Sequence, residues 1–94
     1  MFVSSEPLMY PVIEYLESKR IQIRDEKSVM DLRGQRTSID LVVITPSEKV
    51  RTLGVGTAFL AKRTAVQIKQ FCESQGIAEQ LETSEVSIII ADFL

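Results

Sequence analysis

Apolar positions along the chain follow two periods, and the changes between them mark the elements. From Pro11 to Lys19 they recur at helical spacing: Val12, Ile13 and Leu16 form a stripe, with Glu14, Glu17 and Ser18 largely on the other side. Pro7 and Pro11 confine the helix start to their vicinity, because proline is tolerated in the first turn and not deeper. From Ile21 the period becomes two. Ile21 and Ile23 alternate with Gln22 and Arg24, which predicts a half-buried strand. A turn is expected near Asp25-Glu26-Lys27-Ser28, followed by a paired strand through Val29, Met30 and Leu32 that ends at Gly34; one long bent strand is the alternative.

The run from Ser38 to Gly56 predicts two strands joined by the turn Pro46-Ser47-Glu48-Lys49. In the first, Ile39, Leu41 and Val43 point one way while Val42 and Ile44 point the other, the pattern of a central strand covered on both sides. Pro46 ends it, since proline cannot donate to the ladder. Gly54 and Gly56 close the strand Val50 to Val55, where glycine signals a bulge or a close approach of backbone or ligand. A helix is expected from Ala61 to Gln75, with Ala61, Ala65, Ile68 and Cys72 on one face and Phe71 beside them. Gly76, followed by apolar Ile77, stops it. Ala78 to Glu82 add a helical turn. The last strand, Val86 to Phe93, holds Ile88-Ile89-Ile90, apolar on both faces and so expected inside the sheet.

The order α-β-β-β-α-β therefore predicts an α/β fold: a mixed four- or five-stranded sheet flanked by two main helices, closed by a right-handed parallel crossover. Residues 1–94 are expected to form one domain, with 1–8 a loose arm. A chain of 94 residues buries only about 60–65% of its unfolded surface, which points to a homodimer or a protein partner completing the core. The lone Cys72 allows no internal disulfide, and the absence of histidine excludes the usual zinc sites and histidine-based triads. No apolar run approaches a membrane span and the N-terminus lacks a secretory signal, so the expected location is cytoplasmic, with no membrane partner.

The formal net charge of −2 is unevenly spread. Residues 33–63 carry Arg33, Arg36, Lys49, Arg51, Lys62 and Arg63 against Asp40 and Glu48, a net +4 between acidic flanks. Such a segment fits either a phosphate-binding face or solubilising charge on turns and strand edges. Asp40 is the polar exception in its strand, and a carboxylate beside a buried face needs a partner, solvent or a proton. Gly54-x-Gly56 lies between a strand and a helix, as in phosphate-cradling loops, but the third glycine of the dinucleotide fingerprint is absent. Lys62 and Arg63 at the expected helix start oppose its dipole, a cost that a bound anion relieves. Cys72 on an apolar face reads as a small buried hydrophobe rather than a nucleophile.

With Asp40 in the run SIDLVV and Glu14 or Glu17 on the first helix, this element order resembles the restriction-endonuclease-like, or PD-(D/E)xK, superfamily over residues 11–93. The nearest in element order are the small archaeal Holliday-junction resolvases. The resemblance implies carboxylates that hold magnesium or manganese beside a phosphate, with Glu-x-Lys on the strand after Asp40. That strand reads Val50-Arg51-Thr52-Leu53-Gly54-Val55-Gly56, so Gly54 and Gly56 stand where the Glu and Lys are expected. The implied protein is a degenerate, non-enzymatic member without a cofactor, binding nucleic acid through Arg33, Arg36, Arg51, Lys62 and Arg63. Two alternatives stand beside it: a protein-interaction or scaffold subunit, and a metal-dependent nuclease using Asp40 and Glu14 with Mg or Mn.

Overall fold

The computed structural model describes residues 2–91. Its sheet runs β1 (Gln22–Met30), β2 (Arg36–Ile44), β3 (Val50–Gly56) and β4 (Ile88–Ile90) in spatial as well as chain order. The first three form an antiparallel meander, and β4 joins β3 in parallel through a helical crossover. The helices are α1 (Tyr10–Ser18), α2 (Thr57–Ala61), α3 (Ala65–Ser74) and α4 (Ile77–Thr83). The α/β class, the mixed four-stranded sheet and the element order match the expectation.

One continuous core joins the two layers. Ile23 of β1, Ile39, Leu41 and Val43 of β2, Leu53 and Val55 of β3 and Ile90 of β4 pack with Val12, Tyr15 and Leu16 of α1 and with Phe59, Ile68, Cys72 and Leu81 from the other helices. Leu41, Val43, Leu53 and Val55 are wholly buried, each worth about 1.5–3 kcal/mol by its apolar area. Phe59 meets Phe71 edge to face with centroids 4.9 Å apart, binding α2 to α3.

All four helices contribute to this one core, so they cover one face of the sheet only. The intervening residues of β2, namely Asp40, Val42 and Ile44, remain half-exposed. The two-sided cover expected for β2 is therefore absent among the described residues. Alternation of Ile39, Leu41 and Val43 reports the buried face correctly, while Val42 and Ile44 are apolar without a helix above them. Likewise β4 is an edge strand and not an interior one: Ile90 is 4% exposed but Ile89 is 73% exposed. The expected extension of this strand to Phe93 lies partly outside the described residues.

Three local departures have identifiable causes. The helix expected over 61–75 is broken after Ala61, because Thr64 caps α3. Its hydroxyl accepts from the Gln67 amide at 3.3 Å, and the Gln67 side chain accepts from the Thr64 amide at 3.0 Å. Ala61 and Ala65 are consequently exposed, while Ile68 and Cys72 face the core. In β1 no turn forms at 25–28; the bent-strand alternative holds, with irregular register between Ile23 and Asp25 and between Val29 and Met30. Where a loose arm is expected, the segment from Phe2 lies against the β1–β2 hairpin. Ser4 and Ser5 donate to Glu26, and Glu6 pairs with Arg36.

Gly76 sits at φ 59°, left-handed as expected, and separates α3 from α4. It gives α4 no side-chain cap. The buried hydroxyl of Tyr15 on α1 supplies one instead, accepting from the Ala78 amide at 3.2 Å. That amide is among the first-turn donors that have no partner within their own helix.

Candidate functional site

Strand parity and register define the uncovered face. Lys27, Asp40, Gly54 and Ile89 form one row across the four strands, Asp25, Val42 and Thr52 the next, and Gln22, Ile44 and Val50 the third. The face is thus charged toward one end and apolar toward the other. Val50 is 53% exposed, a large apolar residue in open solvent with Ile44 directly beside it.

Asp40 is half-exposed on this face and forms no hydrogen bond or ion pair among the described residues. Its exposure to solvent is how an unpaired carboxylate next to a buried strand is tolerated. Its cross-strand neighbour is Gly54, and a Cβ built there would stand 3.0 Å from Asp40 Oδ1. Ser38 faces Gly56 one step along; a Cβ at Gly56 would lie 3.3 Å from the Ile90 carbonyl oxygen. The two glycines let β4 and the Asp40 carboxylate approach β3 closely, and Gly56 is the N-cap of α2. The helix that follows, α2, has only five residues.

Glu14 lies elsewhere. It is exposed on α1, 3.9 Å from Lys69 of α3, in the helical layer across the sheet from Asp40. Glu17 lines a shallow cleft with Phe2, Arg20 and Gln22. Neither acid meets Asp40, and among the described residues no three potential ligand side chains converge. The residues do not fit a two-carboxylate magnesium or manganese site.

The basic residues also divide. Arg33 is exposed in the β1–β2 turn, where Asp31 Oδ1 accepts from the Arg33 amide at 2.8 Å and from the Gln35 amide at 2.9 Å. Arg36 opens β2 in its ion pair with Glu6. Arg51 pairs with Val43, seven residues along the strand from Arg36, or roughly 23 Å at about 3.3 Å per residue. Its guanidinium donates to the Val50 carbonyl at 2.9 Å, on the helix-covered side, while its Nε is buried without a partner. Lys62 and Arg63 occupy the link between α2 and α3. Arg63 stacks 4.2 Å above the Phe59 ring and donates to the Phe59 carbonyl at 3.3 Å. It also lines a groove of about 430 Å³ between α1 and α3, together with Glu14, Leu8, Tyr10 and Val66. Arg36 and Arg51 thus lie a strand length apart, although all five cations fall in one stretch of sequence.

A second polar cluster, absent from the sequence reading, ties the β2–β3 turn to α4. Glu82 accepts from the Ser47 amide at 3.1 Å and from the Ser47 hydroxyl, and Lys49 Nζ donates to the Glu82 carbonyl at 2.9 Å. Hydrogen bonds from Ser47 foremost, then Thr45, hold the Glu82 carboxyl below the usual carboxylate range. The turn itself needs Glu48 at φ 65°. The cluster ties the turn to α4 through Glu82 Oε1 and the Glu82 carbonyl, while Glu82 Oε2 is buried without a hydrogen-bond partner. Cys72 is wholly buried, and burial pushes its thiol up to about 11, which leaves it unreactive near neutral pH.

Among the described residues no helix is long and apolar enough to cross a membrane. Compared with known proteins, the chain matches no family model, no curated protein and no solved structure.

Proposed function

We propose that the chain is a non-enzymatic protein-interaction subunit that works through the uncovered face of its sheet. The observation that carries this reading is the row Gln22–Ile44–Val50 at the apolar end of that face, with Val42 and Thr52 beside it and Val50 53% exposed. Apolar side chains on a sheet face are normally covered, and contiguous exposed ones mark interaction surfaces. Asp40 at the other end offers an unpaired carboxylate to a cationic group on the partner. The test compares the tagged chain with Ile44→Glu/Val50→Glu, identifying copurifying chains and repeating the binding with the purified partner. A partner lost with the variant, at an unchanged melting temperature, supports the reading; an unaltered set of partners refutes it.

One observation favours a second reading, a degenerate relative of the restriction-endonuclease-like superfamily that binds nucleic acid. Gly54 and Gly56, at the positions where that superfamily's Glu and Lys are expected, share the face of Asp40. Anisotropy of labelled branched and linear DNA, titrated across a salt series with manganese present, tests it. Affinity that falls steeply with salt supports phosphate contacts through Arg33, Arg36 or Arg51. No binding at low salt removes it.

A further inference from the structure

The two edges of the sheet differ in kind. The outer strand β1 carries Arg24-Asp25-Glu26-Lys27, a run of signs plus, minus, minus, plus. Four consecutive charged side chains on an edge strand are among the features by which natural sheets discourage edge-to-edge association.

At the other edge, residues 86–91 read Val-Ser-Ile-Ile-Ile-Ala, six residues without a charge in a chain that is 26% charged. Among the described residues β4 is bonded on one side only, to β3. Ile89 is 73% exposed and Val86 is 70% exposed. An unpaired row of main-chain donors and acceptors, flanked by β-branched side chains and bare of charge, is a template for another strand.

We infer that this strand is β4 of a second copy, paired antiparallel about Ile89. The two-fold operation sets Ile89 against the partner's Ile89 on the uncovered face and Ile88 against the partner's Ile90 on the helical side. No charged residue of β4 meets its like. The contact is isologous and closes as a dimer, whereas β4 laid on a second copy's β1 is heterologous and propagates. The result is one eight-stranded sheet whose two uncovered faces lie side by side. This extends the interaction-subunit reading by naming a partner, and it uses the edge of the sheet rather than its face, so each can fail alone.

The experiment is sedimentation velocity on the full chain from ~1 to ~500 µM, a range that spans weak and stable interfaces. The expected result is twice the chain mass at the upper end. Ile89→Lys, which sets a cation against its own copy, is expected to remain monomeric at the same melting temperature, while Ile44→Lys still dimerises. Independently, Ile89→Cys is expected to form an intermolecular disulfide under mild oxidation, since directly opposed Cβ atoms stand ~5 Å apart. The equally exposed Val50→Cys is expected to form none. A monomer at every concentration overturns the inference, as does a dimer that survives Ile89→Lys. A dimer lost with Ile44→Lys and kept with Ile89→Lys also overturns it, placing the contact on the face instead.

Discussion

Replacing Tyr15 by phenylalanine removes one oxygen and nothing else from the core. The ring stays, and with it the apolar burial of a side chain that is 1% exposed. What is lost is the acceptor for the Ala78 amide, 3.2 Å away, on a residue itself only 7% exposed. Water has little access to that amide, and Gly76 offers no side chain to replace the oxygen. An orphaned buried donor costs about 1–3 kcal/mol, against about 0.5–1.5 for a hydrogen bond whose partners both return to water. For a domain of this size each kcal/mol moves the melting temperature by about 4–8 °C, so the expected fall is about 5–15 °C. Urea and thermal unfolding followed by circular dichroism give the global loss, and amide exchange at Ala78 gives the local one. Tyr10→Phe is the control: Tyr10 lies on the same helix, is 44% exposed, and is expected to change nothing. A loss for Tyr15→Phe below about 0.5 kcal/mol with unchanged exchange at Ala78 would refute the assignment of this hydroxyl as the cap of α4.

Other expectations follow from single groups. The Glu82 carboxyl lies below its usual range, so its stabilising effect is full above the ordinary carboxylate pKa and is lost as pH falls through the lowered folded value. The stability difference between the wild type and Glu82→Gln should therefore be present at pH 7 and vanish well below about pH 4, as read by urea midpoints across pH. Cys72 should react with a disulfide reagent at pH 8 only as fast as the fold opens, and the rate should climb steeply in urea; rapid labelling of the native protein would contradict its burial. Arg20 holds φ 63° after α1, a left-handed conformation that glycine adopts without strain, so Arg20→Gly should raise stability by about 0.5–1 kcal/mol in the same unfolding assay.

The buried face of the sheet was written plainly into the alternation of Ile39, Leu41 and Val43, and the stop after α3 into Gly76. The break before α3 was legible too, since Thr64 and Gln67 spell a capping box, although the apolar spacing through Ala61 and Ala65 masks it. Other features had no local signal. Val42 and Ile44 look the same whether a helix, a partner or only water lies above them. Ile88-Ile89-Ile90 reads as an interior strand because its edge position depends on which strand it pairs with, and that strand lies more than thirty residues earlier. The cations from Arg33 to Arg63 cluster along the chain, yet a hairpin reverses direction at Pro46 and a strand length separates Arg36 from Arg51. The Tyr15 cap spans 63 residues and could not be read from spacing at all.

That cap also joins the first α-helix of the chain to the last. The β1–β2–β3 meander can close by local contacts alone, each hairpin needing only a short turn. α4 depends on distant chain, because once buried the donor at its first turn is satisfied by a helix made at the start of the chain. During synthesis part of the core stays open until the last third of the chain has emerged, since Ile68, Cys72, Leu81 and Ile90 belong to it. A chain ending at Ser74 leaves Tyr15 without Ala78 and the β3 edge without β4, and such a fragment exposes the very strand that the finished fold conceals.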